Sequence, residues 1–225
     1  MYIALDDEVT ADAVANAMDW LLERATEEDL VFVYVAAHYS YLKRVVEFNR
    51  IFPPLWGLVP TDRKVLVVDS CKAGELTASA MYGTFVSPEG PEISEASPSP
   101  GLSISACAHD EVAVWGTVEE DLSIVGGFMT YYLHEALLDR SLDTNGDTYI
   151  SVEEAFAGLY LRMRAYYRET APRALEDPDL PEAVRQQILD DLASDGFPHP
   201  EMIDAFPGEL ILDLRYYREA AEDGS

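Results

Sequence analysis

Two short apolar runs constrain this chain more than anything else in it. Leu30-Val31-Phe32-Val33-Tyr34-Val35-Ala36-Ala37 and Lys64-Val65-Leu66-Val67-Val68 are of strand length and rich in β-branched residues, and each runs straight into a side chain with chemistry. His38 follows the first, and Asp69-Ser70-Cys71 the second. Such runs, lacking polar alternation, predict strands buried on both faces, as in a parallel sheet. Helical periodicity lies around them: over 11–25 behind the Thr10 cap, near 41–52 before the breaker Pro53-Pro54, and over 127–140, 151–169 and 181–193. Further strands are expected at 102–107 and 209–214. Strands alternating with helices predict an α/β fold around a parallel sheet, with the ligand site at the strands' carboxyl ends. The Pro, Gly, Ser and Glu of residues 83–100 predict a mobile loop.

A chain of 225 residues, 48% hydrophobic, can bury one sizeable core, and a single domain over 1–225 is expected. No apolar run approaches the ~20 residues that span a bilayer, and the first residues lack a signal-peptide pattern, so a cytoplasmic protein is expected. The two cysteines, Cys71 and Cys107, are then expected as free thiols, with a single bridge between them the alternative. A net charge of -27 repels phosphate backbones and anionic membranes, which argues against nucleic-acid and membrane partners. The acidity suits a high-salt host or basic substrates, and composition does not choose between them.

A thiol nucleophile needs a base or an electropositive setting, and a neighbour able to protonate a departing amine. His38 and Cys71 supply both, and neighbouring parallel strands would bring them together although they stand 33 residues apart. His109, beside Cys107, offers a second thiol–imidazole pair, but adjacent residues rarely point together. His134 and His199 carry no partner pattern, and no zinc-ligand spacing occurs. Asp143, Asn145, Asp147, Ser151 and Glu154, with the Tyr149 carbonyl, fall at the ligand positions of an EF-hand-like calcium loop over 143–154. Thr148 occupies the turn position that usually needs Gly, and the same residues suit an Asp-capped loop before a helix at Ser151.

Phe32-Val33-Tyr34-Val35-Ala36-Ala37-His38 and Asp69-Ser70-Cys71-Lys72-Ala73-Gly74 resemble the two signatures of the caspase, metacaspase and paracaspase superfamily of cysteine peptidases. Further likenesses follow in order: Ser105-Ala106-Cys107 with Asp110-Glu111, Gly127-Phe128-Met129-Thr130, Asp143 to Asp147 with Ile150 and Glu154, and a closing strand within His199 to Leu212. The resemblance implies a caspase-like three-layer α/β/α sandwich around a mostly parallel sheet, with a helical insertion over about 172–196. The family's first strand and helix are missing from the matched segment. That leaves a sheet edge near residues 2–5 for another chain to cover.

The same resemblance implies an endopeptidase acting on protein or peptide substrates, in a regulated bacterial cell-death or defence setting. Cys71 is its nucleophile and His38 its acid/base, and the backbone N–H groups of Tyr39 and Cys71 form an oxyanion hole. No cofactor is required, with calcium the one candidate. Asp69 stands where metacaspases place a specificity carboxylate for Arg or Lys. The family's usual Gly-His-Gly is Ala37-His38-Tyr39 here, so strain is expected at Tyr39. The alternative reading is a catalytically degenerate interaction or calcium-binding module, and a different thiol hydrolase on an α/β sheet stays open.

Overall fold

In a computed structural model, residues 8–83, 98–113, 115–117, 125–194 and 196–212 are described. In chain order the elements begin α1 (Ala11–Leu22), β1 (Val31–Ala36), α2 (Tyr39–Arg44), α3 (Phe48–Trp56), β2 (Lys64–Asp69), α4 (Ala73–Tyr82) and β3 (Leu102–Ser105). They continue with β4 (Trp115–Thr117), β5 (Val125–Gly127), α5 (Phe128–Leu138), a 3-10 turn (Arg140–Leu142), α6 (Val152–Ala174), α7 (Glu182–Ser194) and β6 (Glu201–Asp204). The chain is an α/β protein with a four-strand, mostly parallel sheet and, among the described residues, seven α-helices. No described helix is long and apolar enough to cross a membrane. Contacts divide the chain into two compact units, 1–114 with 198–206, and 115–197 with 207–225.

The first unit is built on the sheet β1-β2-β3-β6, in which β1, β2 and β3 run parallel and β6 is antiparallel to β3. Leu66 and Val68 of β2 turn one face of the sheet to α1, α3 and α4, where Met18, Phe52 and Leu76 join the core. All six residues of β2 are buried, as the apolar run predicts. The same expectation fails for β1. Val31 is buried, but Phe32, Tyr34 and Ala36 are exposed, so β1 alternates as a strand covered on one face only. Its position at the end of the described sheet, with β2 as its partner, accounts for this.

The single helix expected near 41–52 is two, because Glu47 adopts a left-handed conformation (φ 50°) and breaks the run between α2 and α3. Nor do Pro53 and Pro54 stop it, since α3 continues through both to Trp56. A Pro inside a helix costs about 3 kcal/mol or more. Phe48, Phe52 and Trp56, stacked with ring centroids 4.6 and 5.4 Å apart and fully buried, offset it, each such side chain being worth about 3–5 kcal/mol. The buried Lys64 closes the helix. Its ammonium donates to the carbonyls of Trp56 (3.0 Å) and Val59 (3.4 Å), the charge a helix C-terminus favours.

The second unit holds the β4–β5 pair and α5, α6 and α7. The sequence pattern predicts neither of these short strands. Phe128 and Tyr132 of α5 meet Tyr166 of α6, and the Tyr167 hydroxyl donates to Asp191 of α7 at 2.7 Å. Of the strand expected at 209–214, Ile211 forms an isolated bridge with Ser151, and the segment past 212 lies outside the described residues. The closing strand is β6, inside the His199 to Leu212 stretch that the resemblance marks. Residues 2–5 and 84–97, the expected edge segment and most of the expected loop, also lie outside the described residues.

Candidate functional site

The first unit brings the chemistry of the sequence to one end of its sheet. β1 and β2 pair with a constant offset of 33 residues, from Val31↔Lys64 to Ala36↔Asp69. Continued two residues past the last pair, that offset makes His38 and Cys71 counterparts at the carboxyl ends of adjacent parallel strands, which lie about 4.8 Å apart. His38 is exposed and is the N-cap of α2, with φ -62° and ψ 134°. Cys71 is half-buried in the turn from β2 into α4. The two following residues touch: the Lys72 ammonium lies 5.8 Å from the centroid of the Tyr39 ring.

The strain expected at Tyr39 is not there. Tyr39 is the first residue of α2 with ordinary helical backbone, and its N–H is one of those a helix leaves without an internal acceptor. Positive φ falls instead on Lys72 (φ 55°, ψ 29°), directly after Cys71 and the N-cap of α4. A left-handed L-residue costs about 1–2 kcal/mol. The surroundings fix it: the Lys72 N–H donates to the Glu111 carbonyl (2.9 Å), the Glu75 N–H to the Lys72 carbonyl (3.0 Å), and the Gly74 N–H to the Cys107 carbonyl (3.0 Å). The strained residue of this strand-to-helix turn is thus the neighbour of Cys71. No sequence signal marked Lys72, a residue type rarely found at positive φ.

Cys107 is a structural thiol. It is fully buried, its S–H donates to the carbonyls of Ser70 and Glu111 (3.4 Å each), and burial pushes its pKa up to about 12. His109, exposed, lies 3.9 Å from Asp110, so the Cys107–His109 pair does not form. His199, for which the sequence offered no partner, is held by Glu111, whose carboxylate accepts its backbone N–H at 2.6 Å and contacts its Nδ1 at 2.7 Å. Glu201, at the start of β6, is exposed, yet partial burial of its carboxyl and the neighbouring Glu111 raise its pKa. Asp69, the expected specificity carboxylate, is fully buried.

Alongside His38, one carboxylate collects three donors. Glu75 of α4 accepts from the Tyr39 hydroxyl, from Asn49 of α3 (3.1 Å) and from Lys43 of α2 (3.4 Å), and Lys43 also donates to the Tyr39 oxygen at 2.8 Å. Burial and the bond to Glu75 push the Tyr39 phenol above its ordinary pKa. The bond to Tyr39 likewise pushes Lys43 up. These partners come from three helices, so local sequence gave no sign of them.

In the second unit, Thr148 takes φ 76°, the conformation that its place in the 143–154 loop demands. The expected calcium ligands are engaged in local hydrogen bonds. Asp143 accepts the N–H groups of Gly146 (2.6 Å) and Thr148 (2.9 Å), Asp147 that of Tyr149 (2.8 Å), and Asn145 that of Asp147 (2.8 Å). Glu154 accepts from Thr144 (2.7 and 2.8 Å) and from Ser151 (3.2 Å), in a capping box that starts α6. Among the described residues no group of three or more His, Cys, Asp or Glu is placed to hold a metal ion. The loop as found is the Asp-capped entry to a helix. No protein-family model and no curated protein matches the chain.

Proposed function

We propose that this chain is a caspase-like cysteine endopeptidase in which Cys71 attacks the peptide carbonyl and His38 moves the protons. The parallel register that makes these two residues counterparts on adjacent strand ends is the observation that carries the reading. In the first step the Cys71 thiolate adds to the carbonyl carbon, and the oxygen takes up the negative charge. The Tyr39 N–H, unused within α2, and the Cys71 N–H are the donors for that oxyanion. Protonated His38 gives its proton to the leaving nitrogen as the C–N bond breaks, leaving a thioester on Cys71. Neutral His38 then takes a proton from water, the hydroxide expels the thiolate, and the acid product departs.

Cleavage after Arg or Lys suits the acidic chain. In the described conformation Asp69 offers no surface to a substrate, whereas Glu201 reaches solvent at the same end of the sheet, so Glu201 carries the proposed preference. A peptidyl acyloxymethyl ketone ending in Arg tests both parts. Labelling at Cys71 that survives Cys107→Ala, is lost in Cys71→Ala and falls in Glu201→Gln is the expected result. No labelling of Cys71 by Arg, Lys or Asp probes would leave the noncatalytic module as the better reading.

A further inference from the structure

Tyr39 and Glu75 sit at matching places on either side of the proposed dyad. Tyr39 follows His38 at the start of α2, and Glu75 lies in the first turn of α4, just past Cys71 and Lys72. The hydroxyl–carboxylate bond between them therefore ties the turn that bears the imidazole to the turn that bears the thiol. We propose that Tyr39 and Glu75 form a clamp that positions His38 against Cys71, a role that rests on the dyad reading above.

The clamp is over-determined. Lys43 donates to the Tyr39 oxygen and to the other carboxylate oxygen of Glu75, Asn49 fixes the carboxylate from α3, and the Lys72 ammonium lies over the Tyr39 ring. Glu75 is only 8% exposed, and a polar group so placed needs hydrogen-bond donors to offset its desolvation, where an apolar side chain would pack at less cost. Such a network is worth its desolvation where it fixes a geometry. Proton exchange between imidazole and thiol works only within about 2.6–3.2 Å or through one water. A displacement of about 1 Å costs up to roughly 10²-fold. His38, exposed at an N-cap, sits at the point where backbone placement decides that distance.

The test reads Cys71 directly and needs no substrate. Alkylation by iodoacetamide is followed at Cys71 by mass spectrometry as a function of pH, in the wild type, His38→Ala, Tyr39→Phe, Glu75→Ala and Glu75→Gln, with thermal melts on each. The wild type should react at lower pH than His38→Ala, because a protonated imidazole stabilises the thiolate. Tyr39→Phe and Glu75→Ala should move the profile towards His38→Ala, slowing alkylation at neutral pH by about tenfold, within the ~10²-fold that misplacement costs. Glu75→Gln keeps an oxygen for the Tyr39 hydroxyl and should recover most of what Glu75→Ala loses, which a charge effect would not do. If Glu75→Ala does not fold, Tyr39→Phe, the loss of one oxygen, decides alone. Profiles of Tyr39→Phe and Glu75→Ala that follow the wild type while His38→Ala departs would overturn the clamp and leave the dyad. Superposition of the wild type on His38→Ala would overturn the dyad, and the clamp with it.

Discussion

Gly74 stands where the helix after Cys71 passes closest to the segment after β3. A Cβ built there would lie 2.5 Å from Glu201 Oε2, 2.8 Å from the His109 nitrogen and 3.1 Å from the Ala108 carbonyl carbon. The Glu201 carboxylate ends a flexible side chain and can swing away. The two backbone atoms cannot, because the Ala108 N–H is held by the Glu111 carboxylate (3.1 Å) and Gly74 itself donates to Cys107 (3.0 Å). Opening the 2.8 Å approach to an ordinary contact of roughly 3.5 Å displaces the first turn of α4 by about 0.7 Å. Overpacking of that kind costs about 1–3 kcal/mol. At roughly 2–4 °C per kcal/mol for a chain of this size, Gly74→Ala should melt about 2–12 °C lower. Gly57 is the control, since its φ is -65° and its nearest neighbours would be 3.8 Å from a Cβ. Gly57→Ala should be neutral or stabilising by about 0.4–1 kcal/mol. Scanning calorimetry of the two variants decides the matter: a Gly74→Ala protein that melts with the wild type, or a Gly57→Ala protein that falls as far, refutes the close approach.

Thr148→Gly should stabilise the protein. Releasing a left-handed L-residue returns about 1–2 kcal/mol. The entropy of Gly takes back about 0.5–1 kcal/mol. A lower melting temperature in the variant would contradict the positive φ. Glu154 predicts a pH dependence: burial pushes its carboxyl up, but the N–H groups of Thr144, Ser151 and Asn145 and the Thr144 hydroxyl together hold it below the usual range. A carboxylate depressed in the folded state stabilises above its unfolded value of about 4.3. That contribution is lost as pH falls through the folded value. Urea midpoints should therefore drop below about pH 4.3 more steeply in the wild type than in Glu154→Gln, and parallel curves would remove Glu154 from the account.

Much of the fold was legible because it depends on local pattern, and the failures mark where neighbours decide. The run Lys64 to Val68 reads as a buried strand and is one; Val31 to Ala36 reads the same and leaves Phe32 and Tyr34 half exposed, because a run of β-branched residues does not say whether both faces will be covered. Helical periodicity passed unbroken across Glu47, since a single left-handed residue changes no side-chain spacing. β6 is four residues with Met202 and Ile203 between acids, too short for its own pattern to mark it within the His199 to Leu212 stretch, and pairing with β3 makes it a strand. At the candidate site, the two strands that lead into His38 and Cys71 were legible, and their pairing follows from two apolar runs of matched length. Glu75, which bonds residues 26 to 36 positions away, and Glu111, which bonds a residue 88 positions away, were not.

Register and contour length make different demands on this chain. Residues 37–63 connect β1 to β2 by way of α2 and α3, and a residue added or lost in the turns outside those helices does not by itself alter which strand positions pair. Inside either strand a single deletion slides one end against the other by about 3.3 Å and inverts the faces beyond it. In β2 such a slip ahead of Leu66 would turn Leu66 and Val68 away from the helices while moving the thiol one position along from the imidazole. Strand length is accordingly the stricter requirement of the two, because it sets both the buried face and the alignment of the strand ends.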